Sequence, residues 1–342
     1  MQQLGDDAWD AVASWMDSEG LGAGPLADVT YLAGGTQNIV ARFRRGSSGY
    51  VLRRGPLHLR PVSNGVMCRE MRVLAALAGT AVPHPRLLAT CPEGAPLAGA
   101  AFYLMEPVEG FTATEPLPSA VRADPALVRS LAMSTVDAAA SLHAVDHVAV
   151  GLGDFGRPEG YLERQVPRWR KELDGYRAFA GWPGPELPGL ERVAAWLTAR
   201  CPRHFAPAIT HGDFHLSNLL YRDTGEVAAI IDWEMCTIGD PLVDVGWLLA
   251  TWPEGDGGDT LRTFGGLPAR DELIGRYAQR TGRDVSAIDW YEVLACWRLG
   301  IIIEGTYARS FAGLAPADTG AALHQQAIGL FEHALRVIEG ST

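Results

Sequence analysis

Apolar positions Trp9, Val12, Trp15 and Met16 fall at the three-and-four spacing of an amphipathic helix and predict one over residues 5–19. The pattern then changes: VTYLAGGTQNIVARFRRGSSGYVLRR, residues 29–54, reads as three strands around tight turns. Helical spacing returns over 66–77, with Arg69 and Glu70 on the polar side, and a further strand is predicted in AFYLMEPVEG. Pro and Gly mark a hinge at 106–110. Beyond it the periodicity is largely helical, over 127–146, 239–252, 270–281, 286–309 and 319–338, interrupted by the strand-like LLY at 219–221 and the apolar run VAAII at 227–231. The pattern therefore predicts an α+β, bilobal chain: a small N-terminal lobe with an antiparallel sheet, residues 1–107, and a larger, mostly helical C-terminal lobe, residues 108–342.

Composition supports a two-lobed enzyme and narrows its partners. At 342 residues and 47% hydrophobic, the chain can bury a sizeable core and exceeds most single domains. A formal charge of −11 with no basic block argues against nucleic acid as a main partner. The five cysteines (Cys68, Cys91, Cys201, Cys236 and Cys296) lack CxxC spacing and are odd in number, which predicts a reduced, cytoplasmic setting. The acidic start MQQLGDDAWDAV does not read as a signal peptide, and the apolar runs are too short to cross a bilayer. Oligomeric state is left open.

The chemistry concentrates in HGDFHLSNLL, residues 211–220, and IIDWE, residues 230–234. Phosphoryl transfer asks a protein mainly for positioning and charge neutralisation. Asp213 would accept or orient the proton of an attacking hydroxyl, while Asn218 and Asp232 would offer Mg²⁺ the oxygen ligands that it prefers. Two plainer readings compete: Asp213 as an Asx-turn former with Asn218 as a helix cap, and metal-assisted hydrolysis through His211, Asp213 and His215. The second lacks the additional His/Asp clusters that a dinuclear site would need. Upstream, the Gly34-Gly35-Thr36-Gln37-Asn38 turn would let backbone approach nucleotide phosphates, although two glycines between strands also make an ordinary hairpin.

HGDxxxxN followed by IDWE resembles the aminoglycoside phosphotransferase and choline kinase-like superfamily, whose motifs parallel HRDxxxxN and DFG of protein kinases. The resemblance implies a protein-kinase-like fold, ATP and Mg²⁺ held between lobes, Asp213 as catalytic base, and Asn218 and Asp232 on the metal. It implies that His211 braces the loop and that His215 sits near the catalytic-loop lysine of protein kinases. It also implies adenine contacts from the backbone of Met105, Glu106 and Val108. The strand YVLRR would carry the phosphate-gripping cation, here Arg53, with Glu70 as its helix partner. Lys171 is the only lysine in the chain and follows no phosphate-loop pattern, so a Walker A site is excluded.

GRPEGYLERQVPRW, VLRR, LMEPVEG and CWRLGIIIEGTYAR together resemble the branch similar to the kinase-like region of acyl-CoA dehydrogenase fusion proteins, over roughly residues 28–310. That likeness implies a hydroxyacyl-CoA acceptor; an aminoglycoside acceptor and a nucleotide-binding pseudoenzyme without turnover are the alternatives. Arg164, Arg168, Arg170 and Lys171 form either a solvated helix face paired with Glu163 or Glu172, or an anion-binding surface. Glu304, Tyr307 and Arg309 would line the acceptor site or simply pack, and Asp256 and Asp259 fall in a flexible loop at 253–260. His143 is expected to pack or bond locally, with Asp240 and Asp244 supporting the loops.

Overall fold

The computed structural model describes residues 3–32, 38–113, 117–253 and 265–341. Contacts divide the chain into two compact units, one of residues 1–113 with 218–236 and the other of 114–217 with 237–342. The division differs from a single cut after residue 107. Strand β6 (Phe111–Thr112) pairs with β8 (Leu219–Tyr221), and β8 pairs with β9 (Val227–Ile230), so backbone hydrogen bonding ties the hairpin to the first unit.

The first unit is built on an antiparallel sheet of β1 (Leu26–Tyr31), β2 (Ile39–Arg45), β3 (Ser48–Arg54), β4 (Leu87–Cys91) and β5 (Phe102–Met105), ordered β1-β2-β3-β5-β4. Helix α1 (Asp6–Ser18) starts with Asp6 and Asp7, which suit the positive end of the helix dipole. Its buried face, Trp9, Val12 and Met16, packs with Phe43, Leu52, Phe102 and Leu104 in one apolar cluster. Burying each large side chain of that kind contributes about 1.5–3 kcal/mol, so the sheet is secured through its side chains as well as its ladder. Helix α2 (Ser63–Leu77) carries Glu70 on a wholly buried face. This corrects the expectation that Glu70 lies on the polar side: partners from two strands, described below, make its burial tolerable.

The second unit holds α3 (Ser119–Ala123), α4 (Pro125–His143), α5 (Gln165–Gly175), α6 (Leu190–Ala199), α7 (Leu242–Ala250), α8 (Arg270–Thr281), α9 (Ile288–Phe311) and α10 (Ala317–Gly340). Sequence signals explain several limits. Asp124 caps α4 by accepting the Ala126 N–H at 2.8 Å, ahead of Pro125 in the first turn. Glu272 accepts the Ala269 N–H at the start of α8, and Gly282, at φ +67°, ends it. Helices α7 and α9 approach closely because position 246 is glycine: a Cβ there would lie 2.4 Å from the Tyr291 backbone. A two-stranded ladder, β7 (Ala208–Thr210) with β10 (Thr237–Gly239), leads into the HGD segment. No described helix is long and apolar enough to cross a membrane.

Candidate active site

In the first unit, strand register brings Arg53 opposite Tyr103 on β5, and Tyr103 donates its hydroxyl to Glu70 Oε2 at 2.8 Å. Arg53 Nε lies 2.8 Å from Glu70 Oε2, and Arg53 Nη2 lies 2.7 Å from Asp232 Oδ1. Glu234 Oε2 stands 4.0 Å from the same nitrogen and accepts the Asn38 side-chain amide at 3.1 Å. Carboxylate oxygens of Glu70, Asp232 and Glu234 lie within 4.8 Å of one another, a three-to-one excess of carboxylates around one guanidinium.

Burial sets the electrostatics of this cluster. Desolvation lowers the affinity of Arg53 for its proton, but the charges of Glu70, Tyr103 and Asp232 outweigh it and hold the guanidinium firmly ionised. Burial pushes the Glu70 carboxyl up despite Arg53 and Tyr103. Glu234 is also pushed up, first by desolvation and then by the neighbouring charge of Asp232. The strand cation and helix carboxylate expected from sequence are therefore a bonded pair. Asp232 is an additional partner of Arg53 that the sequence reading omitted.

Hairpin register accounts for Asn218 and Asp232. Leu219 pairs with Ile230, and the Ile231 N–H continues the ladder to the Asn218 carbonyl at 2.9 Å, so the two candidate ligands leave the same end of one hairpin. Asp232 adopts φ +65°, a conformation that non-glycine residues seldom take and that recurs at functional sites. Its side chain is 31% exposed, in contrast to Glu70 at 0%. All donors here are oxygen, the set that suits Mg²⁺, and Asp232 keeps one carboxylate oxygen besides the one on Arg53. Among the phosphate-loop candidates, Gly35, Thr36 and Gln37 lie outside the described residues. At the hinge, Met105 closes β5, and the Glu106 N–H is taken by the Arg86 carbonyl at 2.9 Å. Val108 is half-buried.

In the second unit, Asp244 at the first turn of α7 is fully buried and accepts two consecutive backbone N–H groups, His211 at 2.6 Å and Gly212 at 2.8 Å. Its Oδ2 also meets His143 Nε2 at 3.1 Å, while His143 Nδ1 meets the Tyr277 hydroxyl at 2.8 Å. Asp240 accepts the Tyr291 hydroxyl at 2.5 Å and the Leu242 N–H. Asp244 thus holds the backbone of the HGD segment, whereas Asp240 ties α9 to the start of α7, and His143 is buried against partners 101 and 134 residues away in the chain rather than local ones. Gly212 sits at φ +86°, where only glycine is at ease, and turns the chain so that Asp213 follows with its side chain 29% exposed. His215 Nδ1 accepts the Ser217 N–H at 3.2 Å, which assigns the proton of the neutral ring to Nε2, 3.4 Å from Asp213 Oδ1. The His211 ring is buried against Phe214.

Other candidates are absorbed by packing. Glu304 is fully buried and bonded to Trp182 Nε1 and His324 Nδ1, so it does not line an acceptor site. Tyr307 stacks on the His324 ring at 4.2 Å. Arg309 donates to Thr306 one turn earlier. Asp256 and Asp259 lie outside the described residues. In the basic segment, Arg164 is spent on the Glu159 and Arg157 carbonyls, and Arg170 pairs with Glu191 and Asp174 rather than with Glu163 or Glu172. Sequence reading gave Arg298 no role; a lone arginine in the apolar helical run VLACWRLGIII was the available signal.

The family model for the phosphotransferase enzyme family (APH) matches residues 28–291. Acyl-CoA dehydrogenase family member 10 of Mus musculus is 31% identical over 296 residues, covering 83% of this chain and 27% of that protein. The chain therefore spans about a quarter of that curated relative. A Ralstonia eutropha protein provisionally named an aminoglycoside phosphotransferase superposes with a TM-score of 0.78 at 28% identity, covering 97% of this chain and 98% of its own. A thermostable mutant of aminoglycoside phosphotransferase APH(4)-Ia, solved with AMP-PNP and hygromycin B, shares the fold at a TM-score of 0.59 and 15% identity, covering 96% of this chain and 98% of its own. The kinase-like fold and the matched span lead to one conclusion: the chain belongs to the phosphotransferase enzyme family.

Proposed function

We propose that this chain transfers the γ-phosphoryl group of ATP to the hydroxyl of a small molecule, with a hydroxyacyl-CoA as acceptor. The observation that carries the reading is the hairpin end: Asn218 and Asp232 emerge together, and Asp232 is bonded to the strand cation Arg53. In this reading Arg53 steadies the phosphates and Glu70 orients it. Asn38, with Gly35, Thr36 and Gln37, covers the phosphates, and the backbone of Met105, Glu106 and Val108 receives the adenine. Because the Glu106 N–H is engaged by Arg86, that residue has its carbonyl to offer.

Asn218 and Asp232 would hold Mg²⁺, which supplies charge neutralisation on the transferred group. Asp213, backbone-fixed and partly exposed, takes the proton of the acceptor hydroxyl as the new P–O bond forms and ADP leaves. His215, its Nε2 3.4 Å from the Asp213 carboxylate, helps to orient it. Support for a thioester acceptor comes from the likeness to an acyl-CoA dehydrogenase family member and from the burial of Glu304, which removes a carboxylate from any polyamine-binding wall. The name of the Ralstonia eutropha neighbour keeps an aminoglycoside acceptor as the second reading.

The test is ATP- and Mg²⁺-dependent phosphorylation of hydroxyacyl-CoAs beside aminoglycosides, read as a phosphate-mass increase on the acceptor, with Asp213→Asn as control. A product from the thioesters that disappears in the control supports the reading. A product from aminoglycosides alone reassigns the acceptor. ATP binding with no product from either class turns the chain into a nucleotide-binding pseudoenzyme.

A further inference from the structure

Arg298 is an expensive residue in the second unit. It sits within the buried length of α9, 4% exposed, with its guanidinium carbon 4.9 Å from the Trp247 ring centroid and 5.6 Å from that of Trp169. Its one hydrogen bond among the described residues runs from Nη2 to the Gly212 carbonyl at 3.2 Å, and buried Nε and Nη1 have no partner there. Unpartnered buried donors usually cost about 1–3 kcal/mol each, and a buried cation adds its own desolvation, so stability does not explain this arginine. Burial pulls its pKa down, and the charges of Tyr161, Asp244 and Asp213 oppose that pull.

We infer that Arg298 is a positioning residue for phosphoryl transfer: it grips the Gly212 carbonyl and thereby fixes the direction in which Asp213 leaves the loop. The geometry is a clamp on both sides of one residue. Asp244 holds the Gly212 N–H at 2.8 Å and Arg298 holds the Gly212 C=O at 3.2 Å, while glycine, which has no Cβ and sits here at φ +86°, is free to leave that conformation if either grip is lost. Asp244 fixes where the loop begins; Arg298 acts on the Gly212–Asp213 peptide plane, which ends at the Asp213 Cα. The two indole rings confine the guanidinium, and the charges of Asp244 and Asp213 act against the downward pull of burial. The inference rests on the assignment of Asp213 as proton acceptor for its kinetic consequence, but its structural core, a clamp on the loop, does not.

The experiment compares wild type, Arg298→Met and Arg298→Lys. A displaced Asp213 lowers kcat about 100-fold in the Met variant, as misplacement of order 1 Å does, and leaves KM for ATP within about twofold. The Lys variant, which keeps a charge and a donor, recovers part of kcat. Thermal midpoint holds steady or rises in Arg298→Met, because an unsatisfied buried cation has been removed. Amide hydrogen exchange of the full chain over residues 208–216 accelerates about tenfold in the Met variant and less in the Lys variant. Unchanged exchange over that segment overturns the clamp whether or not an acceptor has been found. Wild-type kcat in Arg298→Met, or a loss of rate that only tracks a loss of folded protein, also overturns it. A wild type that turns over no acceptor removes the assignment of Asp213 and leaves exchange as the deciding measurement.

Discussion

Two buried carboxylates in this chain are partnered in opposite ways. Glu70 faces charge: a guanidinium and a phenol hold it, and the same guanidinium is shared with the half-open Asp232. Asp244 faces backbone: two successive N–H groups and a histidine occupy it, and all are buried. A side-chain cation can release one anion for another, so the Arg53 cluster is built to exchange partners, which under the proposed function would be phosphates and a metal. Backbone N–H groups cannot leave without moving the chain, so Asp244 suits a place where geometry must not change.

Removing Asp244 has the largest effect in this comparison. Asp244→Ala strands the His211 and Gly212 N–H groups and lowers stability by about 3–5 kcal/mol, read from urea unfolding midpoints. A cost below about 1 kcal/mol would mean that the loop is held mainly by something else.

Arg53→Met comes next, at about 3 kcal/mol, because it leaves Glu70 buried without its cation. Adding Glu70→Gln recovers most of that loss, since the pair is destabilising to break but nearly neutral to replace together. The sign of its pH dependence follows from burial. The folded-state carboxyl of Glu70 is already raised, and losing Arg53 raises it further. Protonation then favours the native state, so the deficit of Arg53→Met grows as pH rises through the folded pKa. It shrinks as pH falls toward the ordinary carboxylate range near about 4.3. A deficit that widened on acidification would contradict this account.

The smallest stability effect belongs to Asp232→Asn, under about 1 kcal/mol for a partly exposed ion pair. If Asp232 holds the metal as proposed, turnover vanishes all the same, and the coexistence of near-native melting with lost product is the clearest separation of the exchangeable cluster from the fixed one. If Asp232→Asn instead melts early, Asp232 is a structural partner of Arg53 first.

The elements themselves were largely legible. Periodicity located α1, α2 and α8 closely, and the Gly-punctuated run at 29–54 predicted β2 and β3 around a tight turn, their register being supplied by the structure. Residue type and spacing also nominated Asp213, Asn218 and Asp232, because a motif confined to a few residues carries its own geometry. What stayed hidden depends on distant partners. The burial of Glu70 is decided by Arg53 and Tyr103, 17 and 33 positions away, and the backbone grip of Asp244 reaches back 33. Helical spacing with Trp297 and Ile301 leaves Glu304 equally able to line a site or to pack, and it is the distant Trp182 and His324 that decide for packing. Arg298 escaped notice because an arginine in an apolar helix acquires meaning only when the carbonyl it faces is known.

The hairpin that joins the first unit has a consequence for inheritance. Residues 218–236 group with 1–113 although more than a hundred residues of the other unit intervene, so the chain passes from one unit to the other three times. No single cut yields two contiguous, complete pieces; a fragment ending at residue 113 lacks Asn218 and Asp232. Recombination can therefore graft this module onto another enzyme as one uninterrupted block, and exon-like shuffling of either half alone would deliver a broken part.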